Sequence, residues 1–225
     1  MEGLTSLGFD HWWNTKGPWV EEPNERRSGT SGVQKVMQGD TLFYVKRQIG
    51  HTYRSLRYPF GRPTVIREGK ALDRLYALGV KAPETVFYGA RKVNGQWQGL
   101  LVTRELAGFR DLDTWLADQS NLSQENHLLI LTNLAVMLAK LHRGRQQHGC
   151  MRAKHVFINP SVIDNFSNFE LALLDLEKSR PRLSKGRAAR HDVRQLRRHS
   201  PWNDAQWSFF LERYEQEAGR GVALK

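Results

Sequence analysis

The residues best suited to chemistry cluster in His148-Gly149-Cys150-Met151-Arg152-Ala153-Lys154-His155-Val156-Phe157 and, further on, in Leu173-Leu174-Asp175-Leu176-Glu177. A carboxylate closing an apolar run is costly to bury without a partner or a cation, which makes Asp175 a candidate metal ligand. His155 is the second candidate ligand, and its imidazole suits manganese or zinc better than magnesium. Lys154 supplies positive charge beside it, and His148 is expected to brace the backbone. Such a set fits the movement of a phosphoryl group, which depends chiefly on positioning and charge neutralisation. No carboxylate lies between His148 and Phe157 to accept a hydroxyl proton, and two places after His148 the chain has Cys150, its only cysteine. A thiol is a poorer proton acceptor than a carboxylate at neutral pH, so the catalytic reading turns on Cys150.

With three earlier signals, this cluster resembles the order of parts in kinase-type phosphotransferases. Ser28-Gly29-Thr30-Ser31-Gly32-Val33 reads as a small-residue turn before a strand. Gly29 and Gly32 would let backbone N–H groups approach phosphate oxygens, although alone such a turn merely joins strands. Lys46 ends the apolar run Leu42-Phe43-Tyr44-Val45, where a strand would aim its ammonium into a cleft. Glu68 is placed to pair with Lys46 and hold it against the α- and β-phosphates; alone, a Glu early in a helix simply suits the helix dipole.

The elements that must carry these residues are legible in outline. Val33 to Arg47 holds two β-prone runs around Gly39-Asp40, a hairpin signal. Pro63 to Leu78 has apolar residues at helical spacing, with Pro63 near its first turn and Gly79 as its stop. Glu84 to Gly89 and Trp97 to Thr103 are strands around the turn Val93-Asn94-Gly95. Asp111 to Leu116 predicts a short helix and Gln124 to Arg143 a long one, with Leu128, Leu131, Leu134, Met137, Leu138 and Leu141 facing a core. Short strands are expected over Val156–Ile158 and Leu171–Leu174, with a polar loop at 164–168 between them. The last fifty residues read as helices, with Trp202, Trp207, Phe209, Phe210 and Tyr214 supplying core.

With 225 residues, 40% of them hydrophobic, the chain can bury a sizeable core. A single cysteine excludes an internal disulfide and any cysteine-based zinc motif, which suits a reducing compartment. Met1-Glu2-Gly3-Leu4-Thr5 lacks the basic and apolar regions of a signal peptide. Leu128 to Leu141 is interrupted by Thr132, Asn133 and Lys140, as in a core helix rather than a membrane span. The net charge of +11 predicts phosphate-bearing partners. Residues 178–198 hold nine Lys and Arg against one acid, Asp192, without the interleaved aromatics that single-stranded nucleic acid would stack on. An anionic membrane surface or a glycolipid therefore ranks above nucleic acid as the partner of this segment.

From about Gly29 to about Ser200 the chain resembles the lipopolysaccharide kinase (Kdo/WaaP-like) family, which holds the heptose and Kdo kinases of the Gram-negative core, and within it the InaA branch. The resemblance is carried by Phe43-Tyr44-Val45-Lys46, Arg67-Glu68, Leu78-Gly79-Val80, Leu101 to Leu106, His148-Gly149-Cys150, Lys154-His155-Val156-Phe157 and Leu174 to Lys178. It implies an α+β, protein-kinase-like, two-lobed fold: one kinase-like domain over 1–225, with a β-rich N-lobe over 1–106 and a reduced helical C-lobe over 107–225. It also implies ATP with Mg2+ or Mn2+, and a hinge over 103–106 in which Thr103, Glu105 and Leu106 meet adenine through backbone groups. Asp192 would anchor the C-lobe. The function implied is ATP-dependent phosphorylation of a sugar hydroxyl on lipopolysaccharide core or a related glycolipid. The alternative is a nucleotide-binding pseudokinase, a stress-response or envelope-associated regulator, which the Cys at position 150 favours. The implied location is cytoplasmic, peripheral at the inner face of the inner membrane.

Overall fold

A computed structural model describes residues 7–26, 29–56, 58–119, 122–160 and 169–219. The N-terminal pentapeptide, Ser28 of the small-residue segment and the polar loop at 164–168 lie outside these residues. The chain divides into two units, Met1–Asp73 with Pro83–Leu106, and Arg74–Ala82 with Ala107–Lys225. The first is β-rich and the second mainly helical, so the class is α+β as expected.

In the first unit, α1 (Phe9–Asn14) precedes β1 (Trp19–Arg26), β2 (Gly29–Gln38), β3 (Thr41–Ile49), β4 (Thr52–Ser55), β5 (Tyr58–Pro63), α2 (Thr64–Ala77), β6 (Thr85–Val93) and β7 (Gln96–Arg104). Five of the strands form one antiparallel sheet in the order β1-β2-β3-β7-β6, with β4 and β5 a separate ribbon. Both expected hairpins are present. Gln38 pairs with Thr41 across Gly39-Asp40, and Val93 with Gln96 across Asn94-Gly95. Asn94 and Gly95 both have positive φ, 49° and 78°, the primed-turn geometry whose twist matches that of the flanking strands.

Alternation along β3 sends successive side chains to opposite faces. Phe43 and Val45 join Val36, Leu100, Val102 and Trp12 in a fully enclosed cluster on one face. On the other face, Gln48 accepts hydrogen bonds from the Thr64 hydroxyl at 2.9 Å and the Val65 N–H at 3.1 Å, which seats the start of α2. Pro63 ends β5 instead of lying inside the helix, so α2 begins one residue later than the pattern suggested.

The six residues of α1 are too few to hold a helix alone. Burying Trp12 contributes on the order of 4–6 kcal/mol at about 25 cal/mol per Å2. The buried Arg47 guanidinium donates to the carbonyls of Trp12 at 2.9 Å, Trp13 at 3.2 Å and Thr15, and to Gln34 Oε1 at 2.5 Å. It thereby satisfies the open C-terminal end of α1.

The second unit receives the end of α2, closed by a Schellman arrangement. Gly79, at φ 63°, donates to the Tyr76 carbonyl at 2.9 Å, and Val80 to Leu75 at 2.9 Å. There follow β8 (Arg110–Asp111), α3 (Leu112–Ala117), α4 (Gln124–Arg143), β9 (Gln146–Gln147), β10 (Val156–Asn159), β11 (Glu170–Leu173), β12 (Arg180–Pro181), α5 (Lys185–Arg198) and α6 (Asp204–Ala218). Helix α4 has the bounds its periodicity predicts and is capped by the Ser123 hydroxyl, which accepts the Asn126 N–H at 3.2 Å. Its buried side runs from Ile130 to His142 and packs mainly on α6, where Phe210 and Tyr214 are fully buried. Trp202 is buried, whereas Trp207 and Phe209 are only half-buried. Strands β8, β10 and β11 make a small antiparallel sheet, and β9 pairs with β12. Among the described residues no helix is long and apolar enough to cross a membrane.

Candidate active site

The expected residues gather in two groups, one in each unit. In the first, Lys46 sits on β3, paired on one side with Val33 of β2 and on the other with Leu101 of β7. Its ammonium donates to Glu68 Oε2 on α2 at 2.7 Å, with side-chain exposures of 17% and 12%. At that burial the pair is shielded from solvent far more than a surface ion pair. Thr103 and Arg104 end β7, and Glu105 and Leu106 leave the sheet half-buried. The Glu105 N–H already donates to the Leu42 carbonyl at 3.0 Å, which removes one backbone donor from the expected adenine contact.

Gly29 and Gly32 lie within β2, not in a turn before it. A Cβ on Gly29 would come within 2.5 Å of the His51 nitrogen, and one on Gly32 within 2.8 Å of the Trp19 ring. Close packing inside the sheet accounts for the absence of side chains at both positions.

The second group forms because β10 and β11 are antiparallel, with Val156 opposite Leu173. The loop entering β10 and the chain leaving β11 therefore meet at one end of the ribbon. There the Leu174 N–H donates to the His155 carbonyl at 2.9 Å. His155 Nδ1 lies 2.6 Å from the Cys150 carbonyl oxygen, so Nδ1 must carry the proton and donate. Its Nε2 then faces Asp175 Oδ2 at 3.3 Å. Donor atoms of Cys150, His155 and Asp175 all lie within 4.8 Å of one another. Lys154 is exposed on the short 3-10 turn Ala153–His155.

Asp175 was expected to be a buried carboxylate. Instead its side chain is 45% exposed, and the cost lies in the backbone, at φ 59° and ψ 59° in the left-handed region. That conformation is unfavourable for most L residues, and Asp is among the few that visit it. It turns the chain sharply from β11 into the 3-10 turn Leu176–Lys178.

His148 is fully buried and braces this end of the ribbon. Its Nε2–H donates to the Leu174 carbonyl at 2.8 Å, while Nδ1 accepts the Cys150 N–H at 3.3 Å. Burial pushes the imidazole below the usual histidine range, consistent with the neutral ring that these partners require. Behind it stands Asp192 of α5, also fully buried. Its carboxylate accepts the backbone N–H groups of His148 at 2.6 Å and Gly149 at 2.9 Å, and the side chains of His142 and His191 at 3.2 Å each. Burial alone would raise the Asp192 carboxyl, but the hydrogen bonds from His142 and His191 outweigh it and hold the group well below the usual carboxylate range. His142 in turn accepts the Tyr214 hydroxyl at 2.7 Å through Nδ1. The part played by His142 and Tyr214 went unread in the sequence, where both look like core positions of long helices.

Outward from Asp192, α5 presents Arg187, Arg190, Arg194 and Arg198, which with His191 and Arg182 line an open groove of about 370 Å3. Arg197 is committed elsewhere, donating to the Trp202 carbonyl at 2.7 Å and pairing with Asp204.

Comparison with known proteins adds three findings. The family described as lipopolysaccharide kinase (Kdo/WaaP) matches residues 10–214. Protein InaA of Escherichia coli (strain K12) is 43% identical over 202 residues, covering 88% of this chain and 91% of that one. A solved structure of WaaP in complex with acyl carrier protein has a TM-score of 0.69 at 20% identity, over 87% of this chain and 78% of the other, a likeness of fold.

Proposed function

Because the chain belongs to the lipopolysaccharide kinase (Kdo/WaaP) family, we propose that it is an ATP-dependent phosphotransferase acting on a sugar hydroxyl of lipopolysaccharide core or a related glycolipid. The observation that carries this reading is the half-buried Lys46–Glu68 pair at 2.7 Å. An ammonium fixed in this way costs little to reorganise when it meets phosphate oxygens. Residues 103–106 would receive the adenine, and the β2 segment around Gly29 and Gly32 would lie near the phosphates. The whole chain would act as one kinase-like domain, with residues 1–106 as N-lobe and 107–225 as C-lobe.

The donor set at the end of the β10–β11 ribbon fits a divalent cation. Asp175 offers a carboxylate oxygen and His155 its Nε2, 3.3 Å away. The pair would hold Mn2+, or Mg2+ chiefly through the Asp175 carboxylate, and the ion's charge would offset that of the phosphates. Lys154 would add charge beside them, and His148 would keep the loop in place through Leu174. Cys150 occupies the position of the proton acceptor. Phosphoryl transfer is loose enough that a missing carboxylate would slow it without abolishing it.

The groove on α5 supports an anionic surface as partner. Each basic residue near an anionic leaflet contributes about 1 kcal/mol, so the five arginines of the groove would together give roughly 5 kcal/mol. That would place the protein at the inner membrane face, where glycolipid acceptors are found.

Cys150 itself favours a second reading, a nucleotide-binding pseudokinase that regulates an envelope or stress response. Thermal denaturation with and without ATP and Mg2+ or Mn2+ tests both, since a ligand of the native state raises its stability. No shift with either metal would sink both readings. If nucleotide binds, phosphate transfer by the wild-type protein supports the enzyme, and transfer gained only in Cys150→Asp supports the pseudokinase.

A further inference from the structure

We propose that Cys150 Sγ, His155 Nε2 and a carboxylate oxygen of Asp175 form a three-donor site for a transition-metal ion of the zinc class, with a fourth position open to water or a phosphate oxygen. The site shares His155 and Asp175 with the nucleotide reading above, but it does not need a nucleotide to fill.

Geometry carries the argument. In a tetrahedral site with bonds of about 2.0–2.1 Å to nitrogen and oxygen, neighbouring N and O ligands lie roughly 3.3–3.4 Å apart. His155 Nε2 and Asp175 Oδ2 are 3.3 Å apart. The thiol lies within 4.8 Å of both, and a bound metal would draw it in to roughly 3.6 Å of each, completing the two remaining edges. Cys150 and His155 are half-buried and Asp175 is exposed, which leaves an entry path on the carboxylate side.

The hydrogen bonds of His155 point the same way. Its Nδ1 faces a carbonyl oxygen at 2.6 Å, which can only accept, so Nδ1 carries a proton and Nε2 is the ring atom turned to the site. Nε2 then faces the Asp175 carboxylate, an arrangement that a proton or a metal ion between the two atoms would hold, and a bound metal would take the proton's place. Fixing the distal proton on backbone is also how metal-binding histidines are commonly oriented. A hard oxygen-seeking cation such as Mg2+ would make poor use of a sulfur and a nitrogen. Zinc, cobalt or a related ion takes all three donors. On binding, the thiol proton leaves to solvent as the metal–sulfur bond forms.

The test uses the full-length protein, stripped with a chelator and titrated anaerobically with Co2+ alone. Cys150 is the only cysteine, so a thiolate-to-cobalt charge-transfer band in the near ultraviolet reports this site and no other. We expect the band to saturate at one equivalent and to vanish on addition of Zn2+. His155→Gln and Asp175→Asn, each checked for a cooperative melt, should each bind Co2+ at least tenfold more weakly. Asn is tolerated in the left-handed backbone of position 175, so that variant isolates the ligand from the turn. Absence of the band in the wild-type protein overturns the proposal whatever the variants do, and so does unchanged affinity in both variants. Because no nucleotide is present, this outcome is independent of whether ATP binds.

Discussion

Asp192 accepts the backbone N–H of His148 at 2.6 Å, so one buried carboxylate on α5 fixes the start of the loop that carries Cys150. Through Gly149, His142 and His191 the same carboxylate ties that loop to two helices. Removing it would leave several buried donors unpaired. Asp192→Ala is expected to cost about 3 kcal/mol or more. For a chain of this size that lowers the melting temperature by roughly 6–12 °C, which calorimetry would detect. A loss under about 1 kcal/mol in urea titrations would contradict the role given to this residue.

The acid limb of stability should report the same group. Asp192 titrates lower in the folded chain than in the unfolded one, so its contribution is complete above about pH 4 and is lost as pH falls through the folded value. The difference in melting temperature between the wild type and Asp192→Asn should therefore be widest at neutral pH and shrink below about pH 4. A gap that grows on acidification would reverse the assignment.

On the alkaline side, burial and the hydrogen bond that Tyr88 donates to Asp73 at 2.7 Å push the Tyr88 hydroxyl up to about 12. Folding favours the neutral phenol, so stability should fall from about pH 10 upward. Tyr88→Phe is expected to flatten that limb in circular dichroism melts run between pH 9 and 12. The same ring sets the sign of a glycine substitution. Gly69→Ala would ordinarily stabilise a helix interior by about 1 kcal/mol. Here the new Cβ would come within 2.4 Å of the Tyr88 ring, and overpacking of this kind costs typically 1–3 kcal/mol. The alanine should therefore destabilise the wild type and stabilise a Tyr88→Ala background.

Arg47 offers a third check. Its guanidinium serves three carbonyls at the end of α1, of which the Trp13 carbonyl also accepts from the Lys16 ammonium at 3.1 Å. Arg47→Met should release Phe9–Asn14 from the sheet. Amide hydrogen exchange in that segment would rise by one to two orders of magnitude, since about 1.5–3 kcal/mol is lost with a charged hydrogen bond. Protection left unchanged would show that Trp12 alone holds the helix.

For nucleotide, Lys46→Met and Glu68→Gln should each weaken ATP binding at least tenfold, about 1.4 kcal/mol, read as a smaller thermal shift at fixed ligand. Lys46→Met should be the more severe, because it removes the charge itself and not merely its support. Equal shifts in both variants and the wild type would mean that the pair serves only to fasten α2 to the sheet.

Much of this was legible in the residues, and what escaped has physical causes. Helix α4 and the hairpins at Gly39-Asp40 and Asn94-Gly95 showed themselves because long periodicity and turn chemistry are local signals. Strand β1 did not, since Trp19–Arg26 holds Pro23 and three acids, a composition tolerated because β1 is an edge strand with irregular register at that point. Helix α1 is too short to show a period, and its stability comes from Trp12 and Arg47, partners distant in sequence. At the site, the order of Lys46, Glu68, His148 and Asp175 was readable. The hydrogen bond that the His155 ring donates to the Cys150 carbonyl depends on a turn conformation that no residue type announces. The inward-facing role of Asp192 was implied by the resemblance, which made it the anchor of the C-lobe, and not by the basic run around it.

The left-handed turn at Asp175 narrows what can ever occupy that position. Glycine, asparagine and aspartate enter such a conformation at small cost, whereas a branched or bulky side chain would unsettle the exit from β11. Chain direction alone thus holds this position to three letters, and of the three only aspartate also brings a negative charge to the end of the ribbon.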